Sequence, residues 1–300
     1  MNITALIITK NEEIHIERCI NNIKQLVSDV LIIDSFSNDN TIEIAKKLNI
    51  KFIQNKFINH AKQFNFGLSQ LSQDTDWVLK IDADEILTSS LIAEIKNKLP
   101  QLDKNINGIY IKRHLVFQDT LIKYGRLSPV SLLRLFRFQK GKCDNRWVDE
   151  KIKVEGETVQ FKEYIIDQNL ESLSEWIRKH DRYSSAEALN YLLIKYNPLF
   201  NNIEQSQLNF ETLSVVRLKS RNLYAKLPLI IRAFIIFSYR YFFCLGFLHG
   251  KAGLIYFFLQ SLWYRILVDA KILEVQKLIK KNTKIDLAIK EKLKVDVKNI

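Results

Sequence analysis

Three carboxylates stand within four residues of one another in WVLKIDADEIL (residues 77–87): Asp82, Asp84 and Glu85 follow a run that is otherwise almost wholly apolar. An Asp-x-Asp pair beside a strand suits a hard divalent cation, because carboxylate oxygens match Mg2+ or Mn2+. If the strand runs through them, Asp82 and Asp84 point to the same side. Two carboxylates so close repel each other, and a metal or a cationic partner would relieve that cost. The plainer use is a solvated acidic turn before a helix over residues 88–99, where the helix dipole favours acids. Mg2+ commonly binds through one or two carboxylates and substrate phosphates, so a nucleotide is the natural companion. The chain has no Walker sequence, no Gly-x-Gly-x-x-Gly and only eight glycines. That pattern disfavours a P-loop ATPase or a dinucleotide oxidoreductase and leaves phosphate to a metal and to side chains.

The elements that must position these acids alternate between two hydrophobic periods. ITALIIT is a short apolar strand, and Ile16, Ile20, Ile23 and Val27 then recur at helical spacing. DVLIIDS, TIEIAKKL and IKFIQ repeat strand, helix and strand. Phe64, Leu68 and Leu71 suit another helix face, and WVLKID reads as a fourth buried strand. Such alternation predicts an α/β fold with a mainly parallel sheet covered on both faces. Ligands bind such sheets beyond the carboxyl ends of the strands, near a topological switch point. Three polar sets fall there: Thr9, Asn11 and Glu12 after the first strand, Asp34 and Ser35 after the second, and Asp82, Asp84 and Glu85 after the fourth. Ser37, Asn38 and Asp39 are expected to cap the next helix, whereas Asp34 precedes the cap and is expected to contact ligand.

From about residue 108 the pattern turns β-rich, with GIYIKRHLVF, SLLRLFRF and NRWVDEKIKVEG reading as the second half of a mixed sheet. After Asp167 it becomes helical, with Ser172 and Glu175 as a capping-box pair. The loop-like KYNPLFNNIEQSQ marks a boundary. The expected organisation is a catalytic domain over 1–168, a helical segment over 169–226 and an apolar and basic helical extension over 227–300.

The balance of 45 basic against 33 acidic residues, a formal charge of +12, points to an anionic partner. The charge is spread among apolar helices and no nucleic-acid reader motif is present, so no nucleic-acid partner is expected. Cys19, Cys143 and Cys244 are too scattered for a metal or disulfide framework and suit a reducing compartment. With no basic leader ahead of the apolar run at Ile3, the chain is expected to remain cytoplasmic. LPLIIRAFIIFSYRYFFCLGFLHG approaches the length of a bilayer span, yet Arg232 and Arg240 interrupt it. Two interfacial helices around Gly246 to Gly253 would instead turn basic heads toward anionic lipid, with Tyr239, Tyr241, Trp263 and Tyr264 nearby. Nine lysines against four carboxylates in the last thirty residues would strengthen attachment to the inner face of the cytoplasmic membrane. A buried helical core or a homodimer contact is the alternative for this stretch.

ITKNEE, LIIDSFSNDNT, HAKQFNFGL and WVLKIDADE, in this order and spacing, resemble the family 2 glycosyltransferases of GT-A fold, and more closely their lipopolysaccharide-core β-1,4-glucosyltransferase branch. The likeness covers about the first 165 residues and continues more weakly through RLFR, RWVDEKI and WIRKHDRYSSAEA. It implies a Rossmann-like catalytic domain that transfers a sugar from a nucleotide-sugar donor, a UDP-hexose, to a saccharide or glycolipid acceptor with inversion. It also implies that Thr9, Asn11 and Glu12 line the nucleotide pocket, that Asp34 meets the uracil or ribose edge, and that Lys62 approaches the base or phosphates. Asp82, Ala83 and Asp84 match the family's donor motif, with Asp82 and Asp84 toward Mg2+ or Mn2+. Where many relatives read His-Glu, this chain has Asp149 and Glu150. Glu150 is the expected base, with Asp149 orienting it or contacting the acceptor. His180 and Arg182 are candidates for acceptor or phosphate contacts. The competing classes are a metal-dependent nucleotidyltransferase, for which ITKNEE lacks the Gly-rich phosphate loop, a basic nucleic-acid-binding protein, and a glycosidase, whose two carboxylates would leave a nucleotide pocket without purpose.

Overall fold

The computed structural model describes residues 1–143, 152–196 and 227–294. The chain divides into two compact units: Met1–Lys123 with Leu127–Leu170, and Tyr124–Arg126 with Glu171–Ile300.

The first unit is built on one mixed, mainly parallel sheet. Strands β1 (Ile3–Thr9), β2 (Asp29–Asp34), β3 (Lys51–Gln54) and β4 (Trp77–Lys80) run parallel, with β1 between β2 and β4. Helices α1 (Ile16–Ile23), α2 (Thr41–Lys47), α3 (His60–Ser69) and α4 (Ser89–Lys98) alternate with the first strands. Because successive strand residues face opposite ways, a sheet covered on both sides needs apolar residues at every position. β1 meets this demand: Ala5 and Ile7 join one core with Ile16, Ile20 and Ile95, while Leu6 joins another with Ile33, Ala61 and Phe64. Gly67 of α3 stands so close to the sheet that a Cβ there would lie 2.8 Å from a methyl of Leu6. Thr88 caps α4, its hydroxyl accepting from Leu91 N at 3.2 Å.

Past β4 the sheet curls. The strands β5 (Glu85–Leu87), β6 (Ile106–Phe117), β7 (Thr120–Leu121), β8 (Val130–Arg137) and β11 (Glu157–Gln168) complete the spatial order β3-β2-β1-β4-β8-β6-β11-β5, with β7 paired to β6. β9 (Gly141–Cys143) and β10 (Ile152–Val154) form a separate hairpin ladder. Only four residues separate β4 from β5, yet β5 pairs with β11, three strands further along the sheet. The curl brings both edges of that half to the same short turn.

That turn corrects the expectation of a strand running through the acids. β4 ends at Lys80, and Asp82 to Glu85 close a turn in which Glu85 N donates to Asp82 O at 3.0 Å. Asp82 and Asp84 are therefore not neighbours along one strand face.

The second unit is helical. Helix α5 (Leu173–Tyr196) packs with α8 (Tyr264–Ile279) and α9 (Ile285–Leu293) through Ala188, Leu192, Val268, Ile272, Val275 and Ile289. The Ser172 hydroxyl accepts from Glu175 N at 3.3 Å, but the Glu175 carboxylate turns to Arg178, so only half of the expected capping box forms. Helix α6 (Ile231–Ser238) runs on through a π-helical turn to Phe243, the chain breaks at Leu245, and a 3₁₀ turn leads into α7 (Gly250–Phe257) and a second π-helical turn before α8. Among the described residues no single helix is long and apolar enough to cross a membrane, although Ile231–Phe243 and Gly246–Ile279 meet at 70° as a bent apolar pair.

The arginines in this stretch do not face outward as expected. Arg232 is 7% exposed and grips Asp269 through Nε, 3.0 Å from each carboxylate oxygen, and through Nη2. Arg240 is 2% exposed and donates to Ser261 Oγ at 3.2 Å. Desolvating a guanidinium is costly unless it is paired, and these two find their partners inside the unit. Of the expected interfacial aromatics, Tyr264 and Trp263 pack on the helical core, whereas Tyr239 is exposed.

Candidate functional site

The strand order β3-β2-β1-β4 reverses direction between β1 and β4, which makes a switch point at the carboxyl end of β1. Thr9 closes β1 opposite Asp34, which closes β2 in parallel register. The Asp34 carboxylate is wholly buried and accepts from Thr9 Oγ1 (3.0 Å), Ser37 N (2.9 Å), Ser37 Oγ (2.5 Å) and Gln54 Nε2 (3.1 Å). Burial pushes this carboxyl upward, but the hydrogen bonds from Ser37, Gln54 and Thr9 outweigh it and hold the group below its ordinary value. Asp34 thus organises the loop after β2 in the structure described.

The loops after β1 and β2 are stitched together. Asn11, in the left-handed region at φ 59°, donates its N–H to Ser37 Oγ (2.8 Å) and accepts at Oδ1 from Asn38 N (2.9 Å). Asn tolerates that conformation better than most residues. Glu12 N donates to Thr41 Oγ1 at 2.8 Å, and Glu13 N to Asp39 Oδ2 at 3.0 Å. Only Asp39 of the expected cap residues turns to the start of α2, accepting from Thr41 N and Oγ1. His15 is buried: its Nε2 accepts from Leu170 N at 2.9 Å, so Nδ1 carries the proton and donates to Glu12 Oε2 at 2.7 Å.

Across the switch point lies the acidic turn. Asp82 Oδ1 accepts from Lys80 Nζ at 2.7 Å, and Oδ2 from Arg134 Nη2 at 2.8 Å. The same Arg134 nitrogen reaches Glu85, which is fully buried and also accepts from Asp82 N at 3.0 Å. Arg113 on β6 lies 3.7 Å from Glu85 and 3.5 Å from Asp167, the β11 residue in register with Glu85. Three carboxylates, Asp82, Glu85 and Asp167, therefore meet three cations, Lys80, Arg113 and Arg134. The repulsion expected of the acids is relieved by side chains of β4, β6 and β8.

The fields differ within the cluster. Burial would raise Asp82, but Lys80 and Arg134 overcome it and keep the carboxyl well below the usual range. Burial raises Glu85 against Arg134, with Asp82 adding to the rise. Burial also lifts Asp167 to about 7, against Arg113 and with Asp84, Glu85 and Asp82 pushing the same way. Ala83 is buried beneath the turn, and the Asp84 carbonyl accepts from Gln168 N at 3.0 Å and from Arg18 at 3.4 Å. The half-buried Asp84 carboxylate accepts no hydrogen bond among the described residues. No group of three or more His, Cys, Asp or Glu side chains is placed to hold a metal among them.

The strands thus gather Thr9, Asn11, Glu12, Asp34, Asp82, Ala83 and Asp84 at one edge of the sheet. Lys62 is exposed in the first turn of α3, where Asn59 Oδ1 caps its N–H at 2.8 Å. His180 and Arg182 belong to the second unit. His180 stacks on Trp176 with ring centroids 3.5 Å apart and donates from Nδ1 to Trp176 O, and Arg182 is exposed. Asp149 and Glu150 lie outside the described residues. Arg134, Arg113 and Asp167 were not among the expected site residues. One signal was available: Lys80 ends the apolar run WVL and Arg134 interrupts the apolar run LLRLF, and a cation there calls for a buried counter-charge.

The sequence profile described as glycosyl transferase family 2 matches residues 4–149. The lipopolysaccharide core biosynthesis glycosyltransferase LpsC of Rhizobium meliloti is 30% identical over 205 residues, covering 62% of this chain and 70% of that protein. The chain belongs to the family 2 glycosyltransferases. Its curled, largely parallel sheet with flanking helices is the GT-A arrangement, followed by C-terminal helices. An uncharacterized glycosyltransferase of Rickettsia typhi is 43% identical over 94 residues, and the chain spans about a third of that relative's length (32%). Glucosyl-3-phosphoglycerate synthase from Mycobacterium tuberculosis, solved with Mn2+ and UDP-glucose, is 21% identical, with a TM-score of 0.32 over 38% of this chain and 44% of that one.

Proposed function

We propose that the chain is an inverting, metal-dependent glycosyltransferase that moves a hexose from a UDP-sugar to a saccharide or glycolipid acceptor in cell-envelope polysaccharide or lipopolysaccharide synthesis. The observation that carries this reading is the meeting of the Thr9, Asn11 and Asp34 loops with the Asp82–Asp84 turn at the switch point of a family 2 chain. In this reading Thr9, Asn11, Glu12, Asp34 and Lys62 serve the nucleoside and phosphates.

The donor set fits a cation that retains water and shares phosphate oxygens. Asp84 is the residue to hold Mg2+ or Mn2+, and Asp82 would join only by exchanging Lys80 or Arg134. When bound, the cation supplies charge neutralisation for the departing diphosphate. Arg134 and Lys80 hold the turn in place so that Asp84 is presented without reorganisation. In the transfer, an acceptor oxygen bonds to the anomeric carbon as the bond from that carbon to the diphosphate oxygen breaks. The acceptor proton passes to a carboxylate, for which Glu150, with Asp149 beside it, is proposed. Inversion follows because the entering and leaving oxygens occupy opposite faces.

A peripheral site at the inner face of the cytoplasmic membrane belongs to the same reading, since a glycolipid acceptor would be presented there. Equilibrium binding of UDP and of UDP-sugars, with and without Mn2+, tests the function. Metal-dependent binding that falls at least about tenfold in Asp84→Asn is expected. Equal binding by wild type and Asp84→Asn would move the site elsewhere, and affinity for arbitrary DNA in place of UDP would favour the nucleic-acid reading.

A further inference from the structure

The hairpin of residues 231–258 has its polarity inverted. Along α6 and its π-helical extension, Ile231, Phe234, Ile235, Tyr239, Phe242 and Phe243 recur at three- and four-residue steps and are all exposed, while Arg232 and Arg240 point inward. The second arm repeats the pattern: Phe247, Leu248, Leu254, Ile255 and Phe258 face out, and Gly253, Tyr256 and Phe257 face in. Exposure peaks at the bend, where Phe243 is 80% exposed and Leu245 takes a left-handed conformation at φ 62°. The bend is packed into place. Gly125 N donates to Cys244 O at 2.9 Å, and Gly125, at φ 87°, lies so close to Phe257 that a Cβ would stand 2.0 Å from that ring. An aqueous helix places its charges on the outside and its apolar stripe within; this one does the opposite and neutralises its buried guanidinium on Asp269.

We propose that this hairpin is a monotopic anchor that inserts its bend and outer faces into one leaflet of a phospholipid bilayer without crossing it. The inference deepens the membrane association proposed above and replaces its electrostatic basis with insertion. Four features select lipid over a second copy of the chain. The outer face of the first arm offers only the Ser238 and Tyr239 hydroxyls, and Tyr239 already accepts from Arg126 Nη1 at 2.7 Å, whereas a protein interface carries about one hydrogen bond per 100–200 Å². Phe234, Ile235, Ser238, Tyr239 and Phe243 form one shallow, open and almost wholly apolar surface, as contact with acyl chains requires. Two exposed cations stand beside these faces and could meet headgroup phosphates: Arg126, which donates to the Tyr239 hydroxyl, and Lys251, one helical turn before Leu254 and Ile255. Finally, each outward-facing arm of twelve or thirteen residues extends about 20 Å, short of the roughly 30 Å hydrocarbon core, and the 70° bend turns the chain back.

The test is flotation of the full chain with phosphatidylcholine vesicles and with vesicles that also contain phosphatidylglycerol, at about 0.1 M and about 1 M salt. Insertion predicts flotation with both vesicle types at both salt concentrations. It also predicts a loss of at least about tenfold in the Phe242→Ser, Phe243→Ser double variant, with an unchanged melting temperature because both rings are already exposed. Cys244 at the bend is a built-in probe, Cys19 and Cys143 being buried. Binding of vesicles should protect it from an impermeant maleimide. Flotation confined to anionic vesicles and reversed by high salt would overturn insertion, as would concentration-dependent dimers in place of flotation. Labelling of Cys244 by reagent trapped inside the vesicles would show that the hairpin crosses. UDP binding, measured in the same samples, separates the two readings: flotation without UDP binding upholds the anchor and removes the donor site, and UDP binding without flotation does the reverse.

Discussion

The acidic turn after β4 and the hairpin of residues 231–258 both place charge inside apolar sequence, and the fold treats them in opposite ways. At the turn, three cations and three carboxylates from β4, β5, β6, β8, β11 and the intervening loop meet at the edge of a conventional core, with apolar residues inside. At the hairpin, Arg232 and Arg240 are the inside, and the apolar residues face out. Hydropathy alone reads both stretches as buried. The difference teaches that a charge in an apolar run carries little information until its partner is known: the partner decides which face of the element is the interior.

The comparison can be broken first at its buried pairs. Arg232→Ala leaves the buried Asp269 with the Ile230 N–H, which donates to its Oδ2 at 2.7 Å, as its one remaining hydrogen-bond donor among the described residues, and a loss of about 3–5 kcal/mol is expected. Urea unfolding followed by helical circular dichroism would measure it. Replacing the pair together, Arg232→Met with Asp269→Leu, should recover most of that loss, because the desolvation cost of both ions disappears; a double variant as unstable as the single one would show that the pair does more than satisfy itself. Arg134→Ala is expected to cost somewhat less, about 3 kcal/mol, since Lys80 and Arg113 still face Asp82 and Glu85. It should also weaken UDP binding in the presence of Mn2+, as the turn loses its support.

Asp34 and Asp84 sharpen the comparison within the first unit. Asp34→Asn exchanges an acceptor of four hydrogen bonds for a group that must donate on one side, with an expected cost of about 1–3 kcal/mol. The sign of its pH dependence follows from the depressed pKa: the ionised group stabilises the fold above the unfolded value near 3.9, and that contribution disappears as pH falls through the lower folded value. The melting-temperature gap between wild type and Asp34→Asn should therefore be widest near neutrality and close in acid. Asp84→Asn comes last in its effect on the fold, within about 0.5 kcal/mol, because no hydrogen bond among the described residues depends on its carboxylate. Its effect is expected on metal-dependent UDP affinity alone, and a large drop in melting temperature would instead give Asp84 a structural role.

Much of this organisation is legible before the structure is known. The alternation of two hydrophobic periods locates β1 to β4 and the helices between them, because side-chain periodicity is local. Thr9, Asp34 and the acidic turn sit at strand ends for the same reason. What periodicity could not convey is the end of β4 at Lys80, set by the Asp82–Glu85 turn, or the burial of His15, whose partner Leu170 is 155 residues away.

The sequence by itself determined the α/β alternation, the position of the acids beyond the sheet and the family to which the chain belongs, all of which rest on residue types at short spacing. Only the tertiary structure decided which acid is engaged and which is available, because Arg134 reaches Asp82 across 52 residues and Glu85 across 49, through the curl of the sheet. It also decided which face of the hairpin is outside, because Asp269, 37 residues from Arg232, draws that arginine inward. Charge pairing is satisfied by whichever group the fold brings near, and no local pattern names that partner.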